Sequence, residues 1–243
     1  MDELVPQIES VQLTEQSEKI KWARRRELVG VQPPEFLESP SSWLTRMALL
    51  QGVSLAEMAA FLGLEINGDF DLGFVQVRRT ELGVRCGIDS RHFLLMQTMF
   101  ERLRRIDESG QTYLLSQDGR PQYRYCPDCM SEQLNDYFPI HWRFKAWRLC
   151  PVHNKLLYER CPYCDGLIVL PNDLVSGGSR RRGIKQMSRC FLCGKSLYRR
   201  RPALRFDTPR NRLTAEERWL CANGRSLLAA LYTGHFWIDD YMT

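Results

Sequence analysis

Apolar and polar residues alternate with the period of an α-helix in two adjacent stretches near the N-terminal end of the chain. Ser39 and Pro40 precede the first stretch, in the order typical of an N-cap and the first helical position. Ser54 and Glu57 precede the second, with the spacing of a capping box. The apolar stripes are Trp43, Leu44, Met47 and Leu50 in the first stretch, and Leu55, Met58, Ala59 and Leu62 in the second. The pattern predicts two helices within residues 39–63.

A short connection containing Gly52 joins these helices, and Gly63 ends the second. A glycine in such a connection permits a tight turn, so the unit resembles a helix-turn-helix. The second helix carries Glu57 and no Lys or Arg, whereas a helix that reads bases needs hydrogen-bond donors. We therefore interpret the pair chiefly as a packing or protein-contact unit. Arg46 and the polar residues 1–35 are the groups expected to reach backbone phosphates.

A third helix is predicted from Asp89-Ser90, which can cap it, to about Arg105. Its apolar stripe consists of Phe93, Leu94, Gln97, Phe100 and Leu103, and this spacing is typical of an ordinary core-facing helix. The polar connection that follows contains a possible short strand at Tyr113–Leu115.

The C-terminal end is again predicted to be helical, with a capping box formed by Thr214 and Glu217. We expect Asn223-Gly224 to break or bend this helix. The apolar residues expected to share one face are Trp219, Leu220, Leu227, Leu228 and Leu231.

Composition excludes several classes of protein. The chain has 243 residues, of which 44% are hydrophobic, too many for a wholly disordered protein. It has no run of about 18 apolar residues that would span a bilayer, and its start lacks the basic and apolar segments of a secretory signal. We therefore expect a cytoplasmic protein with no membrane partner. In a reducing compartment, its nine cysteines indicate metal binding or chemistry before disulfides.

Eight cysteine and histidine residues form four close pairs, each with two residues between its members. The pairs are Cys126 and Cys129, Cys150 and His153, Cys161 and Cys164, and Cys190 and Cys193. Such a spacing lets one tight turn aim both ligands at a single ion, and zinc prefers four ligands of this kind in a tetrahedron. The pattern predicts two structural Zn²⁺ ions, with Cys86 and Cys221 left as buried free thiols.

Consecutive pairing of the four motifs is the simplest arrangement, with 20 residues between the first two pairs and 25 between the last two. A cross-braced arrangement, in which the first pair joins the third, is the alternative. A redox role for Cys161-Pro-Tyr-Cys164 is less favoured, because a thioredoxin-like motif needs one pair in a βαβ setting. Trp142 and Trp147 lie between the pairs, where we expect them to pack over the zinc sites rather than stack on bases.

Positive charge is concentrated near the C-terminal end. The whole chain has a net charge of +5, yet residues 180–212 contain twelve Lys and Arg residues and a single acid, Asp207, so the remainder is net negative. This asymmetry favours contact with a polyanion over a merely solvated face. The candidate nucleic-acid contacts are Arg180, Arg181, Arg182, Lys185, Arg199, Arg200 and Arg201.

The ordered combination of motifs resembles the TniQ family over about residues 36–200. The resemblance rests on residues 40–46 (PSSWLTR), on residues 125–129 (YCPDC), and on Trp142-Arg143 followed by the knuckles of residues 150–153 (CPVH) and 160–164 (RCPYC). It implies an N-terminal helix-turn-helix domain, zinc-finger modules and contact with the AAA+ ATPase TnsC. In CRISPR-associated transposons, TniQ links an RNA-guided effector to TnsC, whereas TnsD-like relatives bind an attachment site in DNA.

These observations predict a mostly α-helical protein with small zinc-stabilised modules. The expected order is an N-terminal arm (1–35), a helix-turn-helix domain (36–108), a linker (109–124), a tandem zinc-finger region (125–205) and a short C-terminal helical segment (206–243).

The function expected from this organisation is that of a non-catalytic adaptor that selects transposition targets. Its expected partners are TnsC, DNA, a guide RNA and a CRISPR effector complex, and a homodimer stays open. The chain is short for a TnsD-like reader of DNA sequence. The alternatives are a sequence-specific transcription regulator and a zinc enzyme, which would need an open metal position that closed knuckles do not provide.

Overall fold

The computed structural model describes residues 28–133, 136–153, 155–175, 186–198 and 214–235. Within these ranges the protein is mostly helical, with a few short strands. The helices are α1 (Pro40–Gln51), α2 (Leu55–Leu62), α3 (Phe70–Gly73), α4 (Arg79–Cys86), α5 (Leu94–Ile106), α6 (Pro127–Glu132) and α7 (Ala215–Thr233). The strands are β1 (Ser116–Gln117), β2 (Arg120–Tyr123), β3 (Leu149–Cys150), β4 (Lys155–Leu156) and β5 (Ile168–Val169). None of these helices combines the length and the apolarity that crossing a bilayer requires.

The predicted helices α1 and α2 are confirmed, together with the residues that cap them. The Ser39 side chain accepts a hydrogen bond from the backbone of Ser42, and Gly52 ends α1 in the left-handed conformation with φ of 66°. Ser54 and Glu57 form both hydrogen bonds of a capping box at the start of α2. These local side-chain to backbone bonds satisfy N–H groups that have no partner inside the helix, which explains why the helices begin where they do.

The predicted third helix begins as a 3₁₀ turn, Ser90–Phe93, and continues as α5. Asp89 caps the turn by accepting a hydrogen bond from the backbone N–H of Arg91. Phe93, together with the predicted core residues Phe100 and Leu103 farther along the helix, is fully buried. The prediction is wrong for Leu94, which is 45% exposed, because it lies on the helix face shared with the partly exposed Thr98 and the exposed Glu101. The helices α3 and α4 were not predicted.

A three-stranded antiparallel sheet, in the order β1-β2-β5, follows the helical region. The turn between β1 and β2 is Asp118-Gly119, and both residues have positive φ, as the right-handed twist of a two-residue hairpin requires. The predicted strand at Tyr113–Leu115 is wrong: Leu114 forms only a single bridge, to Phe144. A second, two-stranded sheet pairs β3 with β4.

The helix α7 is continuous through Asn223-Gly224, contrary to the predicted break. Gly224 is buried against the indole of Trp147, where a Cβ atom would lie 3.0 Å from the ring. The glycine therefore permits close packing and does not end the helix. Trp219 does not share the buried face of Leu227 and Leu231, since its side chain is 63% exposed.

The buried apolar residues form two clusters. One cluster unites α1, α2, α3 and α4 with Phe93 of the 3₁₀ turn. The other takes residues from α5 and α7 and joins them to the cysteine-rich part of the chain. The side chain of Arg102 on α5 also donates hydrogen bonds to the carbonyl oxygens of Leu231 and Tyr232, at 2.7 and 2.6 Å. These bonds fix the C-terminal end of α7 on α5.

A buried network of charges connects the helical region with the cysteine-rich region. The Arg143 guanidinium is inaccessible to solvent and pairs with Asp71 at 2.7 Å and with Asp69 at 2.6 Å. Asp71 also accepts hydrogen bonds from the backbone and hydroxyl of Ser41 and from the hydroxyl of Tyr123. Every partner of the Asp71 carboxylate is a donor, so its negative charge is compensated inside the protein.

A second buried ion pair involves Arg46, which the sequence assigned to phosphate contact. The guanidinium donates to both carboxylate oxygens of Glu38, at 3.0 and 2.6 Å, and to the carbonyl of Pro33. Only 5% of the Arg46 side chain is exposed. Arg46 therefore stabilises the start of the helical region and is not available to nucleic acid.

Replacement of Arg143 by methionine should lower the free energy of unfolding by about 3–5 kcal/mol, because it leaves two carboxylates without their buried partner. The control is Arg78→Met, which removes an ion pair with Glu81 whose side chains are 80% and 58% exposed and should cost at most about 1 kcal/mol. Urea unfolding of the zinc-loaded variants measures both. If both variants lowered the free energy of unfolding by the same amount, the buried network would contribute no more to stability than the exposed ion pair.

Candidate metal centres

The first cluster of potential ligands is assembled by a helix start and a hairpin. Cys126 is the N-cap residue of α6 and Cys129 lies in its first turn. Cys150 ends β3, and His153 lies in the connection to β4, because the strand register pairs Cys150 with Lys155. All four ligand atoms lie within 4.8 Å of one another.

The separations in this cluster fit a tetrahedron around one ion. The Sγ atoms of Cys129 and Cys150 are 3.5 Å apart. The Nδ1 atom of His153 lies 3.5, 3.4 and 3.5 Å from the sulfurs of Cys126, Cys129 and Cys150. With Zn–S bonds of about 2.3 Å and a Zn–N bond of about 2.0 Å, a regular tetrahedron has S–S edges of about 3.8 Å and S–N edges of about 3.5 Å. The donor set therefore fits zinc in both chemistry and size.

Glu132 fixes the orientation of the histidine ligand. Its carboxylate lies 3.0 Å from the Nε2 atom of His153, on the opposite side of the ring from the Nδ1 atom that faces the sulfurs. A carboxylate in this position holds the imidazole in the tautomer that leaves Nδ1 free for a metal and increases its basicity. The cysteine spacing did not reveal Glu132, although it follows Cys129 by three residues at the end of the same short helix.

The second cluster is built from two hairpin-like turns. A backbone bridge between Arg160 and Leu167 closes the turn that carries Cys161 and Cys164. A corresponding bridge between Arg189 and Ser196 closes the turn that carries Cys190 and Cys193. The two turns face each other, so four sulfur atoms meet at one point.

The sulfur separations of the second cluster also match a zinc tetrahedron. They are 3.7 Å between Cys161 and Cys193 and 3.6 Å between Cys164 and Cys190. In addition, the backbone N–H of Leu192 donates to the sulfur of Cys190, as is typical of a knuckle that stabilises a thiolate. The structure thus groups the four pairs consecutively and not in the cross-braced order.

Aromatic side chains cover the metal clusters, as predicted for Trp142 and Trp147, which are 3% and 6% exposed. Phe138 stacks edge-on against Trp142 with ring centroids 5.7 Å apart and also contacts Phe191 of the second cluster's turn. The carboxylate of Asp136 accepts hydrogen bonds from the backbone and hydroxyl of Ser188. The two clusters therefore belong to one packed region.

The two remaining cysteines are not part of either cluster. Cys86 is buried in the helical core, and burial raises the pKa of its thiol to about 12. It is therefore a protonated packing residue at neutral pH. Cys221 on α7 is only partly buried, so the prediction of a buried thiol holds for Cys86 alone. Burial also lowers the pKa of His141 to about 4, which keeps this core histidine neutral.

The arginine-rich candidates for nucleic-acid contact lie outside the described residues. This applies to Arg180, Arg181, Arg182, Lys185, Arg199, Arg200 and Arg201. Their role stays a prediction, as do the boundaries of the five predicted segments.

Fold and clusters together define a mostly helical protein whose cysteine-rich part carries two clusters of four residues positioned to hold metal ions. The family model of TniQ matches residues 30–157, which is just over half of the chain. The protein therefore belongs to the TniQ family, as its motifs indicated, and this membership points to an adaptor associated with transposition. No curated protein matches the chain. The matched region contains the first cluster and ends before the second.

The purified protein should contain two zinc ions per chain, and Cys164→Ala should contain one, because a tetrahedral site that loses a thiolate binds zinc far more weakly. Cys221→Ala is the matched control and should keep both ions. Elemental analysis after dialysis against a mild chelator gives the stoichiometry. Loss of both ions from Cys164→Ala would contradict two separate sites, and loss of one from Cys221→Ala would contradict the assigned ligands.

Proposed function

We propose that the protein is a non-catalytic, cytoplasmic adaptor that selects targets for a DNA transposition system. Membership in the TniQ family carries this proposal. In the proposed mechanism the adaptor binds nucleic acid with one surface and the AAA+ ATPase TnsC with another. Holding both partners together raises the local concentration of the transposition machinery at one site. In a CRISPR-associated element, the same protein would connect TnsC to an RNA-guided effector complex.

The proposed role of the metal is structural zinc at both clusters. Each cluster supplies four protein ligands, whereas a catalytic zinc keeps one coordination position for water or substrate. The first cluster would close the chain between Cys129 and Cys150, and the second would close it between Cys164 and Cys190. Metal bound in this way contributes folding free energy directly.

The outer face of α2 is the proposed contact with TnsC. The helix buries Leu55, Met58, Ala59 and Leu62, while Ala56, Glu57 and Ala60 are exposed. Small residues and a single acid on an exposed helix permit close approach of another protein but offer no donor to DNA. The neighbouring helix α1 is buried from Pro40 to Ala48, so α2 provides the accessible part of this pair.

Ala60→Arg should abolish or strongly reduce retention of the adaptor on immobilised TnsC from the same element, because a long charged side chain would separate the two surfaces. The matched control is Ala222→Arg on α7, another exposed alanine in a helix, which should be retained like the wild type. Pull-down with ATP present measures retention. If the wild type is not retained, the proposal that the protein recruits TnsC is wrong. If Ala60→Arg is retained as well as the wild type, only the assignment of the contact to α2 is wrong.

The arginine-rich residues should make nucleic-acid binding steeply dependent on salt. Replacement of Arg180, Arg181 and Arg182 by alanine should reduce the slope of log K against log salt concentration by roughly 0.9 for each phosphate contact that is lost. Fluorescence anisotropy with a labelled duplex at several salt concentrations gives the slope. An unchanged slope would remove these three arginines from the interface.

A further inference from the structure

A second pair of helices consists of α4 and the helix that begins at Ser90, and its connection has the same length as that between α1 and α2. The connection is Gly87-Ile88-Asp89, and Gly87 adopts φ of 66°. At Gly83 a Cβ atom would lie 2.9 Å from the carbonyl oxygen of Ile88 and 3.1 Å from the backbone nitrogen of Ser90. Only glycine permits this approach, so the sequence specifies the angle between the two helices. Such a pair has the form of a helix-turn-helix.

The inner face of this pair is held rigidly. Leu82 and Cys86 of α4 are buried, and Phe93 packs edge-on against Trp43 of α1 with ring centroids 5.0 Å apart. The side-chain amide of Gln97, which is itself buried, donates to the carbonyl oxygens of Phe74 and Val77 at 3.1 and 2.7 Å. The helix from Ser90 onwards is therefore fixed in position before any partner binds, which lowers the entropic cost of recognition.

The outer face of the same helix begins with hydrogen-bond donors. Arg91 and His92 are exposed in its first turn, and the Arg91 side chain is 86% accessible. Leu94 and Thr98 follow at helical spacing, the first 45% exposed and the second partly exposed. An arginine can bind the major-groove edge of guanine, and methyl groups of leucine or threonine can contact the methyl group of thymine. The α2 helix has no comparable donors.

The charged residues also distinguish the α4–α5 region from the α2 region. Residues 78–105 contain seven arginines and three acids, whereas residues 54–76 contain four acids and no Lys or Arg. Arg78 and Arg91 form ion pairs with Glu81 and Asp89, but these pairs are exposed and therefore weak enough to be exchanged for phosphates. Arg78 and Arg79 stand at the start of α4, where the first helix of such a pair crosses the DNA backbone.

We infer that α4 and α5 form a duplex-DNA-binding unit, with the first turns after Ser90 in the major groove and Arg78 and Arg79 on the flanking phosphates. The inference deepens the nucleic-acid part of the proposed function and rests on it. Duplex DNA is the expected ligand because the major groove of A-form RNA is too narrow to admit a helix. The unit differs from the α1–α2 pair and from the arginine-rich residues 180–201.

The first test compares two arginines that form similar exposed ion pairs. Arg91→Ala should weaken binding of the zinc-loaded full chain to a mixed-sequence 30-base-pair duplex by about tenfold, the scale expected for a lost arginine contact. Arg160→Ala, which removes an exposed pair with Asp165, should bind within about twofold of the wild type. Anisotropy at low salt gives the affinities, and zinc content verifies that both variants are folded.

The second test uses two leucines of equal exposure. A photoreactive benzoylphenylalanine in place of Leu94, which is 45% exposed, should crosslink to the duplex, whereas the same group in place of Leu156, which is 47% exposed, should not. Crosslinking at both positions or at neither would overturn the inference. So would equal DNA affinity of Arg91→Ala and Arg160→Ala, or no binding of duplex by the wild type.

Retention on TnsC separates this inference from the adaptor proposal. Arg91→Ala should still be retained on the ATPase, because α2 is the proposed contact. Loss of ATPase retention together with unchanged DNA affinity would make this face a protein interface and overturn the inference. Retention of the wild type without any duplex binding would support the adaptor and refute the DNA-binding unit.

Discussion

The buried pairing of Arg143 with Asp69 and Asp71 joins the two halves of the protein, and much of the remaining structure depends on it. Arg143 lies between the two ligand pairs of the first cluster, while the two carboxylates belong to the start of α3 in the helical region. A guanidinium without access to water is stable only if its partners are held in place. The helical half supplies these partners, and the metal cluster fixes the segment that carries the arginine.

The same segment makes further contacts with the start of α1. Backbone groups of Phe138 bond to Ser39 and to the hydroxyl of Ser42, and the N–H of Ile140 donates to the carbonyl of Leu37. Phe138 and Ile140 lie between Cys129 and Cys150, so a metal ion that closes this stretch would also reduce the entropy lost when it docks on α1. A metal ion held by the first cluster would therefore stabilise the helical region through the chain that connects them.

The features that sequence analysis predicted correctly are local ones. A cap such as Ser54 with Glu57, or a knuckle such as Cys126 with Cys129, is specified by residues a few positions apart. All the interactions that form it therefore lie within a single turn of the chain. The ion pair of Arg143 joins residues more than 70 positions apart, and no local pattern indicates it. Gly224 was misread for a related reason, since only the position of Trp147 explains why a glycine is needed inside a helix.

The exposed Leu94 is a second error of this kind, and it lies on the surface of the proposed DNA-binding unit. By its spacing it should belong to the core, yet it points outward beside Arg91 on a helix that Phe93 and Gln97 hold firmly from the other side. Single exposed apolar residues are common on protein surfaces, so Leu94 supports the proposed DNA-binding unit only together with the donors beside it. The turns of the two ligand clusters also carry exposed apolar side chains, Val152 at 71% and Leu192 at 52%. In the proposed adaptor, the helices would provide the recognition surface and the two ligand clusters would hold those helices in place.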